Sequence, residues 1–262
     1  MSRIHETAIV DPAAEIGDVA IGPYAVVGPG VKLADAVVIE AHSVVQGATS
    51  IGSGTRVGPH AVLGCPPQDR KHDGSDTRLE IGADNVFREF TTAHRGSSSG
   101  RGLTRIGDRN YFMANSHVAH DCEVGSDCMF ANSAAIGGHV TLGDRVILGG
   151  LAAVHQHARI GRLAMVGGGG MCAQDVPPFT LAQGDRARLF GLNVTGLRRA
   201  GLDTAVISAL KAAWRTLFTS GLPARHAVAR VREELGEVPE VLEMVRFLET
   251  SERGVCRAGG RS

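Results

Sequence analysis

From Ile106 to Val166 an aliphatic residue or a phenylalanine returns at every sixth position without a miss, through Phe112, Val118, Val124, Phe130, Ile136, Leu142, Leu148, Val154 and Ile160. An earlier stretch, from Ile21 to Leu63, keeps the same beat. A helix repeats near 3.6 residues and a strand at two, so a period of six belongs to neither alone. Sustained self-similarity of this kind marks a solenoid, whose repeats bury their apolar faces only by stacking on one another.

Two further columns refine the unit. Glycine often follows the apolar marker, as at Gly107, Gly125, Gly137, Gly143, Gly149, Gly161 and Gly167, and the residue four after it is usually small, as at Ser116, Cys122, Cys128, Ala134, Ala152 and Ala158. Glycine suits a turn that needs permissive backbone angles, and a small residue suits a crowded inner corner. Each hexad is therefore one short strand and one turn. The beat slips over 65–80 and 94–104, both polar and turn-rich, which predicts loop insertions projecting from the coils.

The pattern resembles the hexapeptide repeat of the left-handed parallel β-helix. That resemblance implies a mainly β, triangular prism with three hexads, or eighteen residues, per coil. It also supplies the handedness, because general crossover rules favour a right-handed path.

After about residue 190 helical signals replace the hexads, so residues 1–190 are expected to form the β-helix and 191–262 a small C-terminal α-helical domain. Asp203 or Thr204 suits the cap of a helix through AVISALKAAWRTLF that stops near Gly221. Pro223 suits the first turn of a second helix ending at Gly236, and Pro239 opens a third. Their apolar residues recur at three and four, which predicts packing on one another and on the last coil. The tail from Arg253, with Gly254, Gly259 and Gly260, is expected to be disordered.

Lys plus Arg and Asp plus Glu number 27 each, which removes any global electrostatic case for nucleic acid or a membrane surface. There is no run of eighteen apolar residues, and the opening MSRIHETAIV lacks the basic and apolar regions of a signal peptide. The expectation is a soluble, cytoplasmic protein with no integral membrane segment. The five cysteines include no CxxC pair, and Cys122 and Cys128 fall in the small inner column, as buried free thiols would.

The densest polar interruption of the repeat is Asn115, His117, His120 and Asp121. Residues eighteen apart stack on adjacent coils about 4.8 Å apart. His120 then lies under Gly138 and next Gln156, while Asp121 lies under His139 and next His157. An imidazole that can deprotonate a hydroxyl, beside a glycine N–H that can hold an oxyanion, suits acyl transfer. A carboxylate touching the base would fix its tautomer, although adjacency in sequence does not establish contact. The bland alternative is a set of solvated surface histidines.

Metal binding is the competing use, since trimeric β-helix carbonic anhydrases of the γ type hold zinc between subunits with three histidines. His117, His120, His139 and His155 are the residues for such a site. One-coil spacing pairs His139 with Asp121 instead of another histidine, and the HxxxxH spacing of that family is absent. Neither metal nor other cofactor is expected.

Several segments, in order from about residue 5 to 250, carry a more specific resemblance: PPQDRKHDG, TAHRGS, NSHVAHDCEVG, AIGGHV, AAVHQHARIG, AQDVPPF, AQGDRARLFGLN and GLRRAG. Together they resemble the UDP-N-acetylglucosamine 3-O-acyltransferases that begin lipid A synthesis. The resemblance implies that His120 removes the proton from the glucosamine 3-hydroxyl, which attacks the thioester of an (R)-3-hydroxyacyl chain on acyl carrier protein. It makes Asp121 the orienting carboxylate and the Gly138 amide the oxyanion donor. His117, His139 and His155, with Gln156, would line the cleft. Gln68, Asp69 and Lys71 would contact substrate from the first insertion, with Lys71 as a fixed positive charge.

Asn193, Arg198 and Arg199 fall where the family binds the nucleotide, and guanidinium groups suit phosphates. Thr195 stands where a Glu is expected and Ala200 where a further basic residue is expected. Those departures leave a 3-amino UDP-sugar open as acceptor, with an amide as product. Gly168 occupies the acyl-chain ruler position, where glycine leaves room for a longer chain that Met171 is placed to refill. The resemblance also implies a homotrimer with sites between neighbouring prisms, and Arg215 and Arg225 suit docking of the acidic carrier protein. A sister enzyme that N-acylates a later intermediate resembles a longer protein with an extra N-terminal domain, for which a repeat under way by residue 9 leaves no room. A noncatalytic solenoid scaffold is the remaining alternative.

Overall fold

The computed structural model describes residues 3–259, and its architecture follows from where each hexad column is buried. The markers from Ile106 to Val166 are at most 3% exposed and fill a single central core with the small column beside them. Phe87, Phe112 and Phe130 stack through three successive coils at centroid separations of 4.6 and 4.7 Å. The β-branched and aromatic markers suit short, fully packed strands, each of which gains its hydrogen bonds from the coils above and below.

The described strands assemble into three sheets of eleven, nine and eight strands, parallel throughout except for the last strand of the first, and these form the first, second and third faces of a prism visited in that order by each coil. Registers confirm eighteen residues per coil in the regular part: His117 pairs with Ala135, and Ala135 with Ala153. The opening coil is one residue shorter, since Arg3 pairs with Ala20. The insertions appear as register gaps. Ile51 pairs with Ile81, thirty residues on, and Ile81 with Ile106, twenty-five on.

The glycine after each marker has a different reason from the one expected. The left-handed backbone angle falls two residues later, at Asn115, Asp121, Ser133, His139, Arg145 and His157 among others. The glycine is needed for space. A Cβ on Gly143 would stand 2.6 Å from the Arg162 amide nitrogen of the next coil, and one on Gly137 would stand 2.9 Å from that of Gln156. Asn and Asp at several of the left-handed positions tolerate that angle best among non-glycine residues.

An antiparallel pair, Thr180–Gln183 with Arg188–Leu192, closes the last coil. The helices follow as α1 (Val194–Arg199), α2 (Thr204–Trp214) extended by a π-helical turn at Arg215–Thr219, α3 (Ala224–Leu235) and α4 (Pro239–Glu249). They share a second core in which Leu197, Leu210, Val231, Val241 and Val245 pack with Leu163 and Phe179 of the coil. α1 has no counterpart in the sequence reading. Pro223 precedes α3 instead of occupying its first turn, whereas Pro239 does open α4.

The expectation of a disordered tail is corrected. Asp175 pairs with Val255 and Leu189 with Ala258, and Cys256 is 2% exposed. Arg253 Nε donates to the Ala173 carbonyl at 3.0 Å, while the fully buried Asp175 carboxylate accepts from Ser251 Oγ and from the Arg159 amide, each at 2.8 Å. The chain therefore returns to the last coil. Gly260, the last glycine of that expectation, lies outside the described residues. None of the described helices is long and apolar enough to cross a membrane.

Candidate active site

His120 and Asp121 sit on the turn between the second and third faces, one residue after the buried Val118–Ala119 step. Asp121 takes a left-handed φ of 59°, which swings its side chain back over the turn. The result is a contact that adjacency alone could not establish: His120 Nδ1 lies 2.8 Å from Asp121 Oδ2. The same oxygen accepts from the Ser97 amide at 2.9 Å, and Thr104 Oγ1 accepts from the Asp121 amide at 2.8 Å. Burial pushes the carboxyl up, but the hydrogen bonds from His120 and Ser97 and the nearby His139 outweigh it, so Asp121 is held below the usual carboxylate range.

An ionised carboxylate can only accept, so Nδ1 of His120 carries the proton and Nε2 presents its lone pair. The Nε2 edge of the ring faces Gly138, on which a Cβ would stand 2.7 Å from Nε2 and 2.6 Å from Cε1. Only glycine leaves the ring its place. The Gly138 amide has no acceptor among the described residues, and the side chain of His120 is 13% exposed.

The predicted stacking is borne out. The His139 ring meets His120 edge-on at 5.2 Å and lies flat on His157 at 4.4 Å. His139 Nε2 is 4.0 Å from Asp121 Oδ2, and burial, partly opposed by Asp121, lowers its pKa. His117 faces outward on the second face, with Nδ1 2.7 Å from Thr92 Oγ1, and its pKa is lowered by burial and by His120. His155 and Gln156 lie two coils above His120, both exposed, with Arg253 Nη2 3.0 Å from His155 Nδ1.

The two insertions dock on each other beside this patch. Asp69 Oδ2 accepts from Ser97 Oγ at 2.6 Å and from Ser99 Oγ at 2.5 Å, and its Oδ1 accepts from the Lys71 amide at 3.0 Å. These bonds hold the Asp69 carboxyl far below its ordinary range. Gln68 and the Lys71 side chain are exposed at the rim. Arg101 Nη2 donates to the Asp121 carbonyl at 2.7 Å, and its Nη1 to Glu123 at 3.0 Å. Sequence reasoning missed Ser97, Thr104, Arg101 and the buried His94. All four lie in the second insertion, 94–104, and His94 and Ser97 fall within the TAHRGS segment, so the signal was the insertion itself and not any single residue.

The remaining predicted residues lie elsewhere. Asn193, Arg199, Thr195 and Ala200 line a cavity of about 800 Å³ on the first face, with Met129, Ile147 and Met165. The Asn193 side chain is engaged structurally, donating to the Leu163 carbonyl and accepting from the Gly196 amide at the start of α1. Arg198 is exposed on the same helix. Gly168 is at the corner between the first and second faces, and Met171 on the second face, 37% exposed, in the same outward column as His117. One chain thus keeps His120 and Arg199 on different sides of the prism.

A hexapeptide coil that sets an imidazole–carboxylate pair against a free glycine amide defines an acyltransferase of the hexapeptide-repeat class. Residues 103–138 match the family described as bacterial transferase hexapeptide (six repeats), and residues 175–256 match that described as Udp N-acetylglucosamine O-acyltransferase, domain 2. The acyl-(acyl-carrier-protein)–UDP-N-acetylglucosamine O-acyltransferase of Syntrophobacter fumaroxidans is 47% identical over 97% of this chain and 100% of its own. That of Thermodesulfovibrio yellowstonii is 44% identical over 98% and 100%. Among solved structures, LpxA from Acinetobacter baumannii superposes with a TM-score of 0.94 at 42% identity, covering 97% of this chain and 99% of that one. UDP-N-acetylglucosamine acyltransferase from Campylobacter jejuni gives 0.93 at 35%, covering 98% and 100%. The chain belongs to the acyl-(acyl-carrier-protein)–UDP-N-acetylglucosamine O-acyltransferase family, and its coil is the left-handed parallel β-helix.

Proposed function

We propose that this protein transfers an (R)-3-hydroxyacyl chain from acyl carrier protein to the glucosamine 3-hydroxyl of UDP-N-acetylglucosamine, the first step of lipid A synthesis. The observation that carries the reading is the close approach of His120 to Gly138, with Asp121 fixing the tautomer from the other side. Nε2 of His120 takes the hydroxyl proton as the sugar oxygen bonds to the thioester carbonyl carbon. The Gly138 N–H receives the developing oxyanion, and Asp121 stabilises the imidazolium. Collapse of the tetrahedral intermediate breaks the C–S bond, and His120 returns its proton to the departing sulfur. No step requires a metal or a redox cofactor.

Outward chemistry supports a homotrimer with sites between subunits. The third face carries Glu80, Arg105, Glu123 and Arg159, as a solvated face does. The first presents Tyr111, Met129, Ile147, Met165 and Leu181, and the second His117, Ala135, Ala153 and Met171. Their shared corner bears a ladder of exposed stacked rings, Tyr24, His42, His60 and Phe90, at 4.9 to 5.1 Å. Three prisms with this corner at the axis set the first face of one against the second face of the next. That brings the Arg199 cavity of one subunit toward His120 of another. The second-face lane from His117 over Ala135 and Ala153 to Met171, about 14 Å at the strand spacing, fits an acyl chain.

Offering UDP-N-acetylglucosamine and its 3-amino analogue together with carrier proteins bearing several chain lengths, and reading products by mass, tests the proposal. An ester on UDP-N-acetylglucosamine is expected. Amide product alone would move the acceptor to the 3-amino sugar, and absence of any acylated sugar would overturn acyl transfer.

A further inference from the structure

The ligand atoms of His120, Asp121 and His139 all lie within 4.8 Å of one another. Zinc bonds of about 2.0–2.2 Å place tetrahedral nitrogen and oxygen ligands about 3.4 Å apart. The separations here, 2.8 Å from His120 Nδ1 to Asp121 Oδ2 and 4.0 Å from that oxygen to His139 Nε2, bracket this value. Asp121 is also fully buried, and its Oδ1 has no hydrogen-bond partner among the described residues. A buried carboxylate with an orphaned oxygen carries an uncompensated desolvation cost, which a cation held by both oxygens, Oδ1 as well as Oδ2, would relieve.

We propose that His120, Asp121 and His139 form a site for a late first-row divalent cation, Zn²⁺ foremost, and that its occupation silences the catalytic base. The silencing rests on the acyl-transfer reading and follows from proton bookkeeping. A metal on Nδ1 takes the lone pair that the N–H there occupied, so the ring's single proton passes through solvent to Nε2 and Asp121 stays ionised as a ligand. Nε2 then donates and cannot accept. The base is lost without any movement of the chain.

Neighbouring groups do not compete for the cation. His117 is tied to Thr92 and His155 to Arg253. Cys122 is fully buried in the core, where its Sγ donates to the Gly137 carbonyl. Arg101, the nearest guanidinium, is already paired with Glu123. His157 stacks on His139 and fixes the orientation of that ring.

Equilibrium dialysis of chelator-treated protein against Zn²⁺, with Co²⁺ absorption as a reporter of tetrahedral ligation, tests the site directly. One Zn²⁺ per chain is expected, with affinity weakened at least tenfold in His139→Ala and unchanged in His155→Ala, while thermal melts establish that both variants are folded. Transfer by the unmodified protein should fall as the site fills and return on adding chelator. No retained zinc, or equal retention by His139→Ala, overturns the inference while transfer by the metal-free protein still upholds the proposed function. Transfer that appears only with zinc would overturn both.

Discussion

A Cβ placed on Gly138 would stand 2.6 Å from Cε1 of His120, a separation that real side chains do not adopt, while Asp121 holds the same ring from its other side. The imidazole is therefore clamped between a carboxylate and a backbone that has no side chain. Gly138→Ala keeps the amide and, since its φ is not left-handed, imposes no backbone strain. It should displace the ring and lower kcat about 10- to 1000-fold, a partial loss compared with the roughly 100- to 10,000-fold of general-base catalysis, with little change in Tm. Steady-state kinetics and a thermal melt decide it. Full kcat would mean that the ring's position does not matter.

His120→Ala removes the base, and its expected kcat loss is about 100- to 10,000-fold with the fold intact. Asp121→Asn tests the tautomer instead. An amide oriented to donate to Nδ1 leaves the proton on Nε2, so kcat should fall by at least about tenfold while KM changes little. Residual activity of His120→Ala above about one per cent would reject it as the sole general base.

The solenoid was legible because one constraint repeats: every marker meets the same core, so Phe112 and Leu148 report the same position. His120 under Gly138 was legible for the same reason. The glycine after each marker was misread because sequence cannot tell a needed angle from a needed space. The docking of the tail was hidden because Val255 and Cys256 have no periodicity of their own and find partners only in Asp175 and Gln174 of the last coil. The bond from Ser97 to Asp121 was hidden too, since insertions carry no register. Asn193 was expected to contact the nucleotide, whereas its side-chain cap on α1 could be read only once the helix itself was in place.

His94 gives the fold a pH dependence. It is 6% exposed, lies edge-on to His117 at 4.9 Å, and has its pKa lowered by burial, then by His117 and His120, from 6.5 to about 4. The unfolded chain therefore binds a proton that the fold refuses throughout that interval. Its contribution to stability is complete above about 6.5, declines as the pH falls, and is gone below about 4. His94→Gln should flatten the fall of Tm across this window, with a residual slope from His117, whose pKa is lowered in the same direction. An unchanged slope would remove His94 as a cause.

Acyl length should respond at Gly168. A Cβ there meets only the Gly150 carbonyl oxygen, at 3.4 Å, so the backbone accepts a side chain without displacement. Gly168→Met fills the corner beside the second-face lane and should shift the preferred donor by about two to four carbons toward shorter chains, since each buried CH₂ contributes about 0.8 kcal/mol. Competition between carrier proteins of different chain length, read by product mass, measures the shift. An unaltered preference would place the ruler elsewhere, with Met171 as the next candidate.

The separation of His120 from Arg199 within one chain makes the strongest test of assembly. If each site takes its base from one subunit and its guanidinium from the next, His120→Ala and Arg199→Ala proteins fail for complementary reasons. Each alone should be inactive or nearly so. In trimers reassembled from an equal mixture, an interface at which the Arg199→Ala chain supplies His120 and the His120→Ala chain supplies Arg199 is intact. Random mixing in a cyclic trimer makes about a quarter of the interfaces intact, so activity should return to about that fraction of the unmodified level. Mixing the folded variants without dissociating them should restore nothing until subunits exchange. Absence of recovery after verified reassembly would place both residues' functions within a single chain, contrary to the geometry of the two faces.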